Sequence, residues 1–293
     1  MPHEVGGEVY FVKQKVDYLE AIASTATGGG CLEQANTYSI LDAKGETAYT
    51  AFERSSCCCR CCCAPYHKFQ LDIVEGKSDG KDKPAVLTMY HPFKCPACCP
   101  ICIDYCRGEI IVYDGAVNAY EEDEEGEVLS TIKQPTCGGY LRPTLQAFDG
   151  AYSDDKEPAY TIKGPFCCIG GLCGECCCPP TFNILQAKGE DEKVLAEIKK
   201  DKPEGVGGAM KEAFSDADNF TINMPPGATS NVKSAIIASS LLIDYLFFES
   251  DGNIYCDLFA QNGPELKCVC CNLYCCGAIV PCYCALKANK SDD

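Results

Sequence analysis

The chain has 293 residues, 46% hydrophobic and 23% charged, a balance that supports a packed globular core and excludes wholesale disorder. Its 42 acidic and 25 basic residues give a formal charge of −17. That charge argues against a nucleic-acid partner, which needs a basic face to release counterions, and against docking on anionic lipid by charge alone. No 18-residue uncharged apolar stretch occurs, so an ordinary spanning helix is not expected, and no basic-then-apolar start after Met1 marks a secretory signal.

In chain order, short runs rich in β-branched and aromatic residues predict strands at 8–14, 38–41, 47–52, 69–74, 85–90 and 109–113. Further strands are expected at 127–132, 144–148, 159–163, 181–186, 193–198 and 220–224. The connections are of two kinds. One is polar and Gly-containing, as at 42–45, 76–84, 114–115, 149–150 and 187–189. The other is rich in Cys or Pro, as at 57–63, 92–106, 135–139 and 165–180. The two kinds alternate strictly. In an up-and-down antiparallel sheet, consecutive connections lie at opposite ends, so the Cys/Pro tips should gather at one end and the Gly turns at the other. His91-Pro-Phe-Lys-Cys95 and Gly164-Pro-Phe-Cys167 read as two copies of one strand-to-tip transition. An open meander of about a dozen strands would expose its edges, so the expected fold is mainly β, a closed antiparallel barrel.

Residues 231–248 break the strand pattern, being apolar on nearly all sides and too long for a strand. As a helix they belong inside the barrel. A bilayer span would require the Asp244 carboxylate in or near hydrocarbon, since the uncharged run lasts only from Ser234 to Ile243. Inside the barrel, Asp244 must find a hydrogen-bond donor or sit near the helix end. The barrel with this helix is read as residues 1–250, and 251–293 as a Cys-rich extension holding a further hairpin.

Cysteine is the anomaly: 27 residues, with no Trp. Most are clustered, at 57–63, 95–106, 167–178 and 268–284. Cys95-x-x-Cys98, Cys99-x-x-Cys102 and Cys173-x-x-Cys176 have thiolate spacing that suits zinc. Disulfides within or between tips, and plain reduced thiols, are the other readings of the same residues. Counting strand directions brings the helix out at the Cys-tip end, so Cys276 should lie nearer Cys61 and Cys99 than Asp114 and Asp149. No enzyme constellation stands out among the three His (3, 67 and 91), and the Glu121–Glu125 run reads as a solvated loop.

From Val9 to Ser250 the chain resembles the phospholipid scramblases. The residues that carry the resemblance are Glu212-Ala-Phe-Ser-Asp-Ala-Asp-Asn-Phe220 and Leu242-Ile-Asp-Tyr-Leu-Phe-Phe-Glu249. Asn36-Thr-Tyr38, Cys57–Cys63 and the two Pro-Phe transitions match in order and spacing. The resemblance implies a tubby-like fold, a closed barrel around a central hydrophobic helix. It also implies calcium-stimulated movement of membrane phospholipid between leaflets, by a non-enzyme at the cytoplasmic side of the membrane, peripheral or lipid-anchored. Palmitate would sit on Cys95, Cys98, Cys99 and Cys102, and calcium at a twelve-residue loop opened by Asp216 and Asp218. That loop departs from an EF-hand: its sixth position is Thr221 instead of Gly, and its twelfth is Gly227 instead of a carboxylate. The alternative function is a soluble cytoplasmic structural or adaptor protein, a rigid barrel assembled with protein partners through its Cys-rich end by disulfides or metal.

Overall fold

The protein is described by a computed structural model covering residues 8–15, 35–56, 66–79, 83–94, 103–121, 126–166, 168–171, 179–186, 193–201, 219–248, 254–257 and 265–287. Its first six strands are β1 (Val9–Lys15), β2 (Thr37–Leu41), β3 (Thr47–Arg54), β4 (Phe69–Glu75), β5 (Leu87–His91) and β6 (Glu109–Asp114). Then come β7 (Val128–Lys133), β8 (Thr144–Asp149), β9 (Tyr160–Lys163), β10 (Cys168–Gly170), β11 (Thr181–Gln186), β12 (Val194–Lys200) and β13 (Asn219–Asn223). Helix α1 (Ser230–Phe247) and the tail strands β14 (Ile254–Asp257), β15 (Glu265–Cys275) and β16 (Ala278–Lys287) follow.

Every strand but β10 and the tail strands joins one closed antiparallel barrel, β1 pairing β2 on one side and β13 on the other to complete it. These are the twelve strands expected from the sequence, shifted by a residue or two at their ends. Closure removes the edges that an open sheet would leave. Along β12 the alternation is plain: Ala196 and Ile198 face the lumen while Glu197 and Lys199 face water. An outer-membrane barrel has the reverse arrangement, apolar outside and polar within. No helix among the described residues is long and apolar enough to cross a membrane.

Barrel diameter grows with strand number, and about eight strands already suffice for side chains to fill the interior. Twelve leave room for a helix of about 10 Å diameter, and α1 occupies it. It is buried without a break from Ser234 to Tyr245, more than three turns, so no face is left for solvent. Thr229 caps its start, accepting from the Val232 amide, after a turn in which Gly227 adopts φ 73°. The buried serines are satisfied locally: Ser239 donates to the Ala235 carbonyl at 2.7 Å and Ser240 to that of Ile237 at 2.8 Å. Asp244 finds its donor in Tyr38, whose hydroxyl lies 2.9 Å from Oδ2. Side chains around the whole wall meet α1, from Tyr38 and Phe69 on one side to Phe182 on the other.

The ends of the barrel differ as the alternation requires. Gly turns neighbour one another at one end, where the Gly76 amide donates to Ala48 and the Gly115 amide to Val86. At the other end Lys94 donates to Tyr66, Gln134 to Gly108, and Gly164 to Pro143. Strand β10 lies within a tip read from sequence as loop, and it pairs with β15, drawing the tail into a second sheet at this end.

Candidate functional site

The described flanks of every cysteine-bearing connection meet at one end of the barrel. Residues 95–102 leave and return between Lys94 and Ile103, and 172–178 between Gly171 and Pro179. Cys95, Cys98, Cys99, Cys102, Cys173 and Cys176 themselves lie outside the described residues, as do Asp216, Asp218 and the 57–63 cluster. The tail arrives at the same place: the Cys276 amide donates to the Tyr140 carbonyl at 2.7 Å, and Tyr274 Oη to that of Gly138 at 2.8 Å. Tyr274 is fully buried and edge-on to Phe247, stoppering the barrel mouth where α1 ends.

Beneath the β5–β6 tip an ionic cluster holds the flanks in place. Lys133 Nζ lies 2.8 Å from both Asp104 and Glu109, Lys94 Nζ 3.3 Å from Glu109, and Arg107 pairs with Asp104. Burial drives the Lys94 ammonium below its ordinary pKa. Burial also works against Lys133, but Asp104 and Glu109 outweigh it and hold that ammonium charged.

A second buried polar network ties α1 to the wall at this end. Glu53 Oε2 accepts from the Asn36 amide at 2.8 Å and from Tyr245 Oη at 2.7 Å, Ser55 donates to Oε1, and His67 Nε2 lies 3.5 Å from it. Burial would raise the Glu53 pKa, yet these donors more than offset it and hold the carboxyl below its usual range. His91 stacks on Phe69 at 4.8 Å, with Nδ1 placed 3.2 Å from the His67 carbonyl to donate to it. Burial pushes the His91 pKa down to about 3, with Lys94 and His67 adding to the effect, so the ring is neutral. Glu53, His67, His91 and Tyr245 are buried, Asn36 and Ser55 are half-buried, and the network ties the helix to the wall. Glu53, His67 and Tyr245 are unmarked in the sequence because they meet only when the barrel closes.

Around this interior stands an exposed apolar rim. Phe93, Ile103 and Tyr105 flank the β5–β6 tip, Tyr140 and Leu141 form the next, and Phe166 follows β9. Tyr140 is 66% exposed and Phe166 62%, far beyond what aromatic side chains in a core show. Leu273, Val280 and Tyr283 extend the rim onto the tail. Among the described residues only Val86 and Val194 are comparably exposed at the Gly-turn end. The rim was half legible in the sequence: the repeated Pro-Phe transition supplies Phe93 and Phe166.

Of the twelve-residue calcium frame from Asp216 to Gly227, the described part begins at Asn219. The frame's fourth to eighth positions are β13, paired to β1 and β12, with Phe220 and Ile222 pointing into the core.

Fold and site together define a closed barrel plugged by its own helix, with one thiol- and aromatic-rich end. The family profile described as Scramblase matches residues 8–250, and the chain belongs to that family. Human phospholipid scramblase 1 is 30% identical over 242 residues, covering 83% of this chain and 63% of that protein. The mouse protein of the same name is 28% identical over 242 residues, 83% of this chain and 61% of its own length. Bovine phospholipid scramblase 2 is 28% identical over 243 residues, covering 81% of this chain and 67% of that protein. The chain thus spans about three-fifths of the first two of these relatives. No solved structure matches it.

Proposed function

We propose that the protein works at a phospholipid surface as a scramblase-type lipid-handling protein, its thiol- and aromatic-rich end against the bilayer from the cytoplasmic side. The observation that carries this reading is the segregation of exposed Phe, Tyr, Ile and Leu side chains to that end. Aromatic side chains favour the membrane–water interface, where one part of the ring is apolar and the other wet. Acyl chains on Cys95, Cys98, Cys99 and Cys102 would leave beside Phe93 and Ile103 and enter the same surface. One such chain binds marginally and two or more bind stably. The acidic Gly-turn end, with Asp42, Asp114, Asp149, Asp154 and Asp155, would face away from anionic lipid. Lipid would pass around the barrel, since α1 fills the lumen, and no step of this reading runs through calcium.

The test uses the full chain with phosphatidylcholine vesicles that carry a fluorescent lipid. Flotation reads binding, and quenching of the outer leaflet by dithionite reads lipid movement. Binding should fall at least tenfold in Phe93→Ser/Tyr105→Ser/Tyr140→Ser/Phe166→Ser and be unchanged in Val86→Ser/Val194→Ser. Equal binding by both variants overturns the orientation; binding with an unchanged protected lipid fraction overturns lipid movement.

A second reading, an assembly block, has one observation in its favour. Strand β16 pairs only with β15 among the described strands and leaves an edge open at the thiol-rich end, though Pro281 blunts it. A homo-oligomer in detergent-free solution that dissociates on truncation after residue 276, with no vesicle binding, would establish this reading in place of the first.

A further inference from the structure

The outer face of the tail ribbon gathers thiols through one irregularity. Strands β15 and β16 pair Val269 with Tyr283 and then Cys271 with Cys282, leaving Cys270 as the extra residue of a β-bulge. The bulge has a packing reason. Val269 and Tyr274 are both buried, yet five positions apart in an unbroken strand they would point to opposite faces. One extra residue restores them to the same inward face, with Asn272 between them. The by-product is two consecutive cysteines on the outward side. Cys282 and Cys284 share that side by alternation, and Cys271 joins it by standing opposite Cys282. Cys270 Sγ reaches across to 2.8 Å from Cys284 Sγ.

We propose that Cys270 and Cys284 are a modification site, a cross-strand dithiol that is oxidised reversibly to a disulfide by a low-molecular-weight disulfide such as oxidised glutathione. A disulfide needs only two thiols, and although Cys284 is in register with Cys268, the bulge brings the Cys270 sulfur to 2.8 Å from the Cys284 sulfur. In the first step the thiolate of one cysteine attacks a sulfur of the oxidant, expelling one glutathione thiolate and leaving a mixed disulfide. The second cysteine then gives up its proton and attacks the cysteine sulfur of that mixed disulfide, and the second glutathione leaves as thiolate. The pair loses two electrons and two protons; the oxidant becomes two thiols. The bond staples the ribbon that holds Tyr274 in the barrel mouth, and it leaves the lipid-facing tips untouched.

The experiment equilibrates the folded full chain with oxidised glutathione, blocks remaining thiols with N-ethylmaleimide in denaturant, and maps the blocked sites by mass. Chymotryptic cleavage after Leu273 and Tyr274 separates the two cysteines, so a linked pair of peptides identifies the bond. The expected result is loss of label at Cys270 and Cys284 together, with the pair linked at two hydrogens less mass and released by dithiothreitol. Cys284→Ser should leave Cys270 unlinked, carrying either the label or one glutathione, and Cys282→Ser should leave the link intact. Full labelling of Cys270 and Cys284 in the wild-type chain, or a link from Cys271 to Cys282 in its place, overturns the assignment, and neither outcome depends on the variants folding.

Discussion

The two ends of the barrel are made by the same strands and differ in what closes them. At the Gly-turn end, turns such as the one after β2 reverse the chain in four residues, the Asp42 carboxylate accepting from the Lys44 and Glu46 amides. At the thiol-rich end most connections are longer, with buried ion pairs at the root of the β5–β6 tip and exposed aromatic side chains above. The helix terminus, the Glu53 network and the Tyr274 stopper also lie there. Strand pairing therefore supplies the frame equally to both ends, while among the described residues the exposed aromatic rim and the buried ion pairs lie at one. An up-and-down topology permits this because alternate connections never mix.

The shared frame should give way as one unit. Leu242 is fully buried in α1, and Leu242→Ala should cost about 2–5 kcal/mol in urea unfolding, lowering stability without separating the two ends into distinct transitions. Two transitions would show that the ends fold independently.

Acid should act chiefly through the thiol-rich end. The folded pKa of His91 is about 3, against about 6.5 for an ordinary histidine, so below about pH 6.5 the unfolded chain binds a proton that the fold refuses. Its contribution is complete above that pH and is lost as pH falls toward 3, at about 1.4 kcal/mol per pH unit. Between pH 6.5 and 5 the carboxylates contribute little. There His91→Phe, which keeps a ring against Phe69, should flatten the dependence of stability on pH. Glu53, whose carboxyl is held low by its donors, adds a further loss only below about pH 4.5. An unchanged slope in His91→Phe would mean that another group titrates there.

Tyr38→Phe removes the hydroxyl that donates to buried Asp244 and should cost about 1–3 kcal/mol. The same substitution at Tyr10, whose partner is exposed Glu8, should stay within about 0.5 kcal/mol. Comparable losses in both would show that the helix end is no better ordered than the surface.

The smallest effect on stability is expected where the effect on binding is largest. Phe93→Ser/Tyr105→Ser trims side chains that project into water, and thermal unfolding should place it within about 0.5 kcal/mol of the parent. A larger loss would reassign these rings, 6.4 Å apart, from rim to structure.

The strands, their alternating connections and the helix are legible in the sequence alone, because each rests on local signals: period-two burial, Gly and Pro at reversals, and an all-round apolar run. From these the common end of the Cys tips follows by counting directions. Closure decided the rest. Glu53, His67 and Tyr245 come from β3, the loop before β4, and α1, and no periodicity relates them. Strand β10 was hidden because three residues carry too little pattern, and it exists only as a partner for β15. The bulge at Cys270 was likewise unreadable, since it answers to the burial of Val269 and Tyr274 against a barrel mouth built by residues far upstream. The pairing of β13 on both sides, which puts Asn219–Asn223 in the barrel wall, is also beyond a spacing argument, because spacing records order along the chain and not the partner strands.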